Sequence, residues 1–135
     1  MSTGLLFGAF DGLHEGHRAM LKEARTHAEH LIVALPPDTV IYELKGKAAR
    51  FSWKERAKAL WESELVDEVI RGDESLGMYS AIDTKHPDII FVGYDQHHLA
   101  NDLASYLAND GKTIPIITLS PYKPDRYKSS LINAV

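Results

Sequence analysis

Gly8-Ala9-Phe10-Asp11-Gly12-Leu13-His14-Glu15-Gly16-His17 separates a short apolar run from a helical pattern, and its reading decides the fold. Upstream, residues 4–10 have the length and apolar content of a strand buried on both faces. Downstream, His17, Leu21, Ala24 and Ala28 fall on one helical stripe, which predicts a helix over residues 16–28. A strand running through a glycine-containing turn into a helix is the first half of a βαβ unit. The same alternation continues along the chain. Further strands are expected at residues 30–35, 66–70, 89–92 and 114–119. Further helices are expected at 52–64, 78–85 and 98–109, the last ended by Gly111. Ser52-Trp53-Lys54-Glu55 is a capping box that opens the second of these helices. The expected architecture is α/β, a Rossmann-like open parallel sheet of five strands with helices on both faces, forming one domain over residues 1–135.

Composition narrows the class of function. The chain has 135 residues, 44% of them hydrophobic and 25% charged, with 15 basic against 19 acidic residues and a net charge of -4. No basic face for nucleic acid is expected from this balance, although a small anion held at one local site fits it. There is no cysteine, so disulfides, thiolate metal sites and a Cys nucleophile are excluded. No basic region precedes an apolar stretch at the amino terminus, and no apolar run approaches the roughly 18 residues of a membrane span. A cytoplasmic setting without membrane contact is the resulting expectation.

In an open parallel sheet, ligands bind beyond the carboxyl ends of the strands where the winding reverses, so the loops after the first and fourth strands are expected to carry the chemistry. In the first loop, Gly8 and Ala9 allow close approach of backbone to a ligand, and Gly16 allows a tight helix start. Free amides of the first helical turn favour an anion. His14 and His17, three residues apart, lean to the same side and make a phosphate site with those amides. Two other readings stand beside this one. The histidines simply cap and pack the helix start, or Asp11, His14 and His17 supply three metal ligands, against which the helix dipole acts.

Three other groups are candidates. Asp95, directly after the fourth strand, suits a ribose or base contact beside Gly93. Lys45 and Lys47 flank Gly46 in a polar loop that reads either as a solvated loop or as a mobile one able to close on a triphosphate or acceptor phosphate, and Asp38 at its start reads as a turn residue after Pro36-Pro37 or as a group that orients the acceptor. Ser129 and Ser130 at the start of a short terminal helix either cap it or offer hydroxyls and amides to a phosphate.

The loop resembles the G-T-F-D-x-x-H-x-G-H signature of the cytidylyltransferase-like nucleotidyltransferases, with Ala9 standing where the family usually has Thr. The resemblance extends through Lys45-Gly46-Lys47, Glu55-Arg56, residues 66–70, Gly93-Tyr94-Asp95-Gln96 and Ser129-Ser130. Gly93-Tyr94-Asp95-Gln96 and the tail from Pro121 are more similar to the archaeal-type FAD synthases than to the glycerol-3-phosphate cytidylyltransferases. Cysteines usual near the tail of those synthases are missing here.

The resemblance implies transfer of a nucleoside monophosphate from ATP or CTP to a phosphate monoester such as FMN, with release of pyrophosphate and with Mg2+ bridging the triphosphate. It implies that His14, His17, Lys45 and Lys47 act in catalysis, that Gly8, Ala9, Phe10, Gly16, Gly93, Asp95, Ser129 and Ser130 hold the nucleotide, and that Asp38 faces the acceptor. It also implies a homodimer, with Trp53, Trp61 and residues 66–70 at its interface or in the core. FMN adenylylation is the leading expectation. A cytidylyltransferase acting on glycerol 3-phosphate or a similar phosphoalcohol is the second, and a nucleotide-binding sensor without turnover is the third.

Overall fold

A computed structural model describes residues 2–75 and 77–120. Five strands form one parallel sheet in the order β3-β2-β1-β4-β5. They are β1 (Thr3–Phe7), β2 (His30–Leu35), β3 (Glu68–Arg71), β4 (Ile89–Val92) and β5 (Ile116–Thr118). Helix α1 (Glu15–His27) links β1 to β2, and α2 (Asp38–Lys45) and α3 (Trp53–Glu62) lie between β2 and β3. Helix α4 (Ser80–Lys85) precedes β4, and α5 (His97–Asn109) precedes β5. The expected α/β architecture is present. The terminal helix expected at Ser129 and Ser130 lies outside the described residues.

Alternation along each strand divides the core between the two faces of the sheet. Leu6, Val33 and Phe91 join α1 and α3 in one cluster, with Leu21, Ala24 and Leu60. Leu5, Ile32, Ile90 and Val92 join α4 and α5 in the other, with Ile82, Leu103 and Leu107. Gly4 lies where β1 meets both Phe91 and Ala28, and a Cβ there would come within 2.5 Å of the Phe91 ring. A larger residue would have to displace the Phe91 ring and Ala28.

The chain winds outward from β1 through β2 to β3, then returns to the other side of β1 to lay down β4 and β5. The winding therefore reverses between β1 and β4, which pair in register from Gly4 with Ile89 to Leu6 with Phe91. This places the crevice for a ligand beyond Phe7 and Val92.

Two expectations need correction. Residues 38–45 are helix α2, not a mobile loop. Pro37 occupies its N-cap position, Val40 and Ile41 bury its inner face, and Gly46 ends it in the left-handed conformation with φ 72°. The first strand stops at Phe7 instead of reaching residue 10, because the chain turns sharply at Phe10, whose φ is 48°.

Candidate active site

Gly8 leaves the end of β1, and a Cβ at this position would lie 2.7 Å from the Phe10 ring. Phe10 is buried in spite of its left-handed backbone, and its ring meets that of His17 edge-on at 5.1 Å. A non-glycine residue in this region stores about 1–3 kcal/mol of strain, maintained here by core packing. Gly12 then turns the chain with φ 105°, a conformation L side chains rarely adopt. The loop is thereby bent so that His14 arrives at the start of α1.

The two imidazoles form the cap of that helix. His14 Nδ1 accepts from the amides of Gly16 at 3.0 Å and His17 at 3.4 Å, and His17 Nδ1 accepts from the amide of His14 at 3.3 Å. This is a capping box built from two histidines, with rings stacked 3.7 Å apart. An Nδ1 that accepts cannot carry the proton, so each neutral ring carries it on Nε2. The His17 ring N–H is bonded to the Gly12 carbonyl. Amides expected to be open to an anion are therefore occupied: those of Gly16 and His17 already bond the His14 ring. Donation to a ligand therefore falls to the imidazole Nε2–H groups, and that of His17 has to leave the Gly12 carbonyl to make it.

Burial pushes the His17 pKa down to about 4, helped by the neighbouring His14 and by Lys45, against the opposing effect of the Gly12 carbonyl. Burial also lowers His14. Both rings are neutral at pH 7, and Lys45 supplies the pocket's formal positive charge. Lys45 is the last residue of α2 and projects into the same cavity.

Gly93, Tyr94, Asp95 and Gln96 form the opposite wall. Gln96 ties this wall to β1: its Oε1 accepts from the Gly93 amide at 2.6 Å, and its Nε2 donates to the Phe7 carbonyl at 3.5 Å. Among the described residues, the Tyr94 hydroxyl is buried without a hydrogen-bond partner. The cavity has a volume of about 230 Å3, and Met20 completes its wall.

Most of the expected site converges here. Gly8, Ala9, Phe10, His14, Gly16, His17, Lys45, Gly93 and Asp95 all line the cavity. Lys47 is exposed and does not line it. Asp38 lines a second cleft and is bonded to Arg56. Ser129 and Ser130 lie outside the described residues. Of the groups named for an interface, Trp53 donates from its indole N–H to the Leu35 carbonyl, and Val66 belongs to the core. Trp61 is exposed.

Asp11 does not join the histidines in a ligand set. Its carboxylate accepts from the amides of Arg50 at 2.7 Å and Phe51 at 2.8 Å, and both histidine Nδ1 atoms accept backbone N–H bonds. Among the described residues, no group of three His, Asp or Glu side chains is arranged to hold a metal ion.

Arg56 was not singled out for a role by its spacing. It is 1% exposed on the inner stripe of α3, beside Ala57 and Leu60. Its guanidinium donates to the carbonyls of Ala9, Phe51 and Pro36, and at 2.7 Å to the Asp38 carboxylate. One side chain thus joins the floor of the histidine pocket to the start of α2 and to the loop before α3. The available signal was a charge on an otherwise apolar helical stripe, since a buried arginine requires partners.

A family model described as cytidylyltransferase-like matches residues 5–134. A FAD synthase of Thermococcus sibiricus is 33% identical over 126 residues, covering 93% of this chain and 85% of the relative. A FAD synthase of Thermoplasma volcanium is 34% identical over 125 residues, covering 93% and 87%. Among solved structures, one described as a lipopolysaccharide core biosynthesis protein from Thermoplasma volcanium matches with a TM-score of 0.82 at 32% identity, covering 91% of this chain and 99% of the other. That description differs from the FAD synthase name shared by the sequence relatives. Pantoate-beta-alanine ligase from Francisella tularensis matches with a TM-score of 0.63 at 11% identity, covering 91% of this chain and 60% of that one, and shares the fold alone. With the match extending over nearly its whole length, the chain belongs to the cytidylyltransferase-like family.

Proposed function

We propose that this protein is a nucleotidyltransferase that adenylylates FMN, forming FAD and releasing pyrophosphate. The observation that carries the reading is the convergence of His14, His17 and Lys45 with Gly93 and Asp95 at the reversal point of the sheet. Relatives named FAD synthase, 33–34% identical over 93% of the chain, support the choice of acceptor. The pantoate-beta-alanine ligase, 11% identical, shows the fold alone and carries no weight in that choice.

No side chain needs to act as a nucleophile. An oxygen of the FMN phosphate attacks the α-phosphorus of ATP and forms a new P–O bond. The bond from the α-phosphorus to the oxygen bridging to the β-phosphorus breaks, and its electron pair leaves with pyrophosphate. Protein catalysis then consists of positioning and charge stabilisation. Neutral imidazoles suit this task, because an Nε2–H donates to a phosphate oxygen without the desolvation cost of a buried imidazolium, His17 exchanging its Gly12 carbonyl for that oxygen. Lys45 adds a point charge where α2 ends, and Lys47, two residues beyond, reaches the triphosphate if the segment after α2 folds over it. Gly8, Ala9, Phe10 and Gly16 shape the nucleotide side of the pocket. Asp95 faces the ribose or base, Asp38 the acceptor, and Ser129 and Ser130 are assigned to phosphate by resemblance.

Mg2+ belongs to the reading as a partner of the nucleotide. Asp11 is committed to two amides and Asp95 is the other carboxylate on the pocket, a donor set that fits an ion carried by triphosphate oxygens better than a resident one. When bound, it shields the charge of those oxygens and of departing pyrophosphate. Among the described residues, no helix is long and apolar enough to cross a membrane. A cytoplasmic setting is supported by the absence of cysteine and by a nucleotide substrate. A homodimer is supported by exposed Trp61 and by the position of β3 at the sheet edge.

The test is pyrophosphate release from each pairing of ATP or CTP with FMN or glycerol 3-phosphate, in the presence of Mg2+. Release with ATP and FMN, accompanied by equimolar FAD, is expected. Release confined to CTP with glycerol 3-phosphate contradicts the assignment, and tight nucleotide binding without turnover under any pairing identifies a sensor.

A further inference from the structure

A second cleft, of about 410 Å3, lies between α2 and the segment that leads into α3. It is lined by Tyr42 and Phe51, 58% and 38% exposed, by Ala48 and Ala49, and by the polar Asp38, Thr39 and Ser52. We infer that this cleft receives the isoalloxazine ring of the acceptor, stacked on Tyr42 and Phe51, with its phosphate directed along α2 to Lys45. The inference rests on the adenylyltransferase reading and adds to it the place and chemistry of flavin recognition.

Three observations connect the cleft to the histidine pocket. Asp38, Tyr42 and Lys45 occupy positions i, i+4 and i+7 of α2, which share one helical face. The first two line the cleft and the third lines the pocket. Seven residues of helix span about 10 Å, a separation that a five-carbon ribityl chain and the inner part of the ring system bridge. The Asp11 carboxylate, itself on the pocket, holds the Phe51 amide at 2.8 Å, so the second ring is fixed relative to the histidines. A Cβ on Gly12 would lie 3.5 Å from Phe51 Cε2, which brings that ring directly onto the histidine loop.

Volume and charge point the same way. Two substrates must be held together, yet the histidine pocket has about 230 Å3, below the roughly 300–1,000 Å3 of a typical small-molecule site. The cleft supplies the missing room. A flat ring with an apolar face and a polar edge matches two exposed aromatic rings and small alanines bordered by Asp38 and Thr39. The phosphate end of the acceptor meets the Lys45 ammonium in the last turn of α2.

The experiment uses the full chain and the variants Tyr42→Ala, Phe51→Ala and Tyr42→Trp. Tyr42 is mostly exposed, so its truncation leaves the core intact. Tyr42→Ala is expected to raise KM for FMN about tenfold or more, the loss typical of one aromatic stacking partner, while KM for ATP stays within twofold. Tyr42→Trp is expected to restore KM. Quenching of flavin fluorescence on binding, with FMN as the probe, should weaken in Tyr42→Ala and Phe51→Ala and return in Tyr42→Trp. Unchanged KM and quenching in both alanine variants overturn the subsite, as does a Tyr42→Ala effect confined to dimer dissociation, which would identify a second copy of the chain as the occupant. A wild-type chain that forms FAD while Tyr42→Ala keeps its KM for FMN counts against the subsite alone. A wild-type chain that forms no FAD counts against the adenylyltransferase reading.

Discussion

The histidine loop after β1 and the segment after β2 both shape the site, yet they are held in different ways. The first is fixed largely from within: the His14 and His17 rings bond amides no more than three residues away, and Gly12 supplies the turn that leads into them. The second is fixed from a distance. Asp11 holds the amides of residues 50 and 51, and Arg56 holds the Pro36 carbonyl and the Asp38 carboxylate. A site for two substrates is assembled when the second region is tied to the first, and Arg56, which also bonds the Ala9 carbonyl, is the tie.

The largest effect on this contrast is expected from Arg56→Ala. It leaves three carbonyls without their donor and opens a cavity in the core, so thermal or urea unfolding should show a loss of about 3 kcal/mol or more. Arg56→Met, which keeps much of the volume, should recover part of the stability while the KM for acceptor remains raised. A loss below about 1 kcal/mol in Arg56→Ala would mean that the two regions are held independently.

Acid should act on the histidine loop. The folded-state pKa of His17 is about 4 against 6.5 for the ordinary side chain, so between these values the unfolded chain binds more protons than the folded one. Stability is therefore complete above about pH 6.5 and declines as pH falls toward 4, by about 2–3 kcal/mol at pH 4.5. The lowered carboxylates of Asp67 and Glu68 lose their contribution only near and below their own ordinary values of 3.8 and 4.5, which leaves the range from 4.5 to 6.5 to the histidines. Urea unfolding at a series of pH values tests this, and His17→Gln should flatten the slope.

Asp11→Ala should have the smallest effect. Two charge-assisted amide bonds at a solvent-exposed position amount to about 1–2 kcal/mol of stability. The more telling outcome is kinetic, because the KM for FMN should rise more than the KM for ATP as residues 50 and 51 loosen. Equal rises in both would place Asp11 in nucleotide binding.

The same division explains what was legible in the sequence. Strands such as 30–35 and 89–92 were readable because a buried parallel strand is an uninterrupted apolar run, and α3 was readable from Ser52 and Glu55, whose reciprocal bonds span three residues. His14 and His17 were readable as a pair, and the reading that they cap the helix start is the one the capping box shows, although ordinary capping residues are Ser, Thr, Asp and Asn. Helix α2 was missed because Pro36-Pro37 reads as a turn and because only Val40 and Ile41 of its eight residues are buried. Exposed Tyr42 and Leu44 blur its stripe. Arg56 was legible only as part of the family resemblance, and its role as a tie was not, because its partners lie 5, 18, 20 and 47 residues away, beyond any local spacing rule.

The decisive measurement follows the label from ATP carrying 32P at the α-phosphate, mixed with FMN and Mg2+, in the wild-type chain and in His17→Ala after both are shown to be folded. Label should appear in FAD with the wild type, and its rate of appearance should fall about a hundredfold or more in the variant, the usual effect of removing one donor to a developing phosphate charge. Label transfer at the wild-type rate in folded His17→Ala would show that the stacked imidazoles are a helix cap and nothing more.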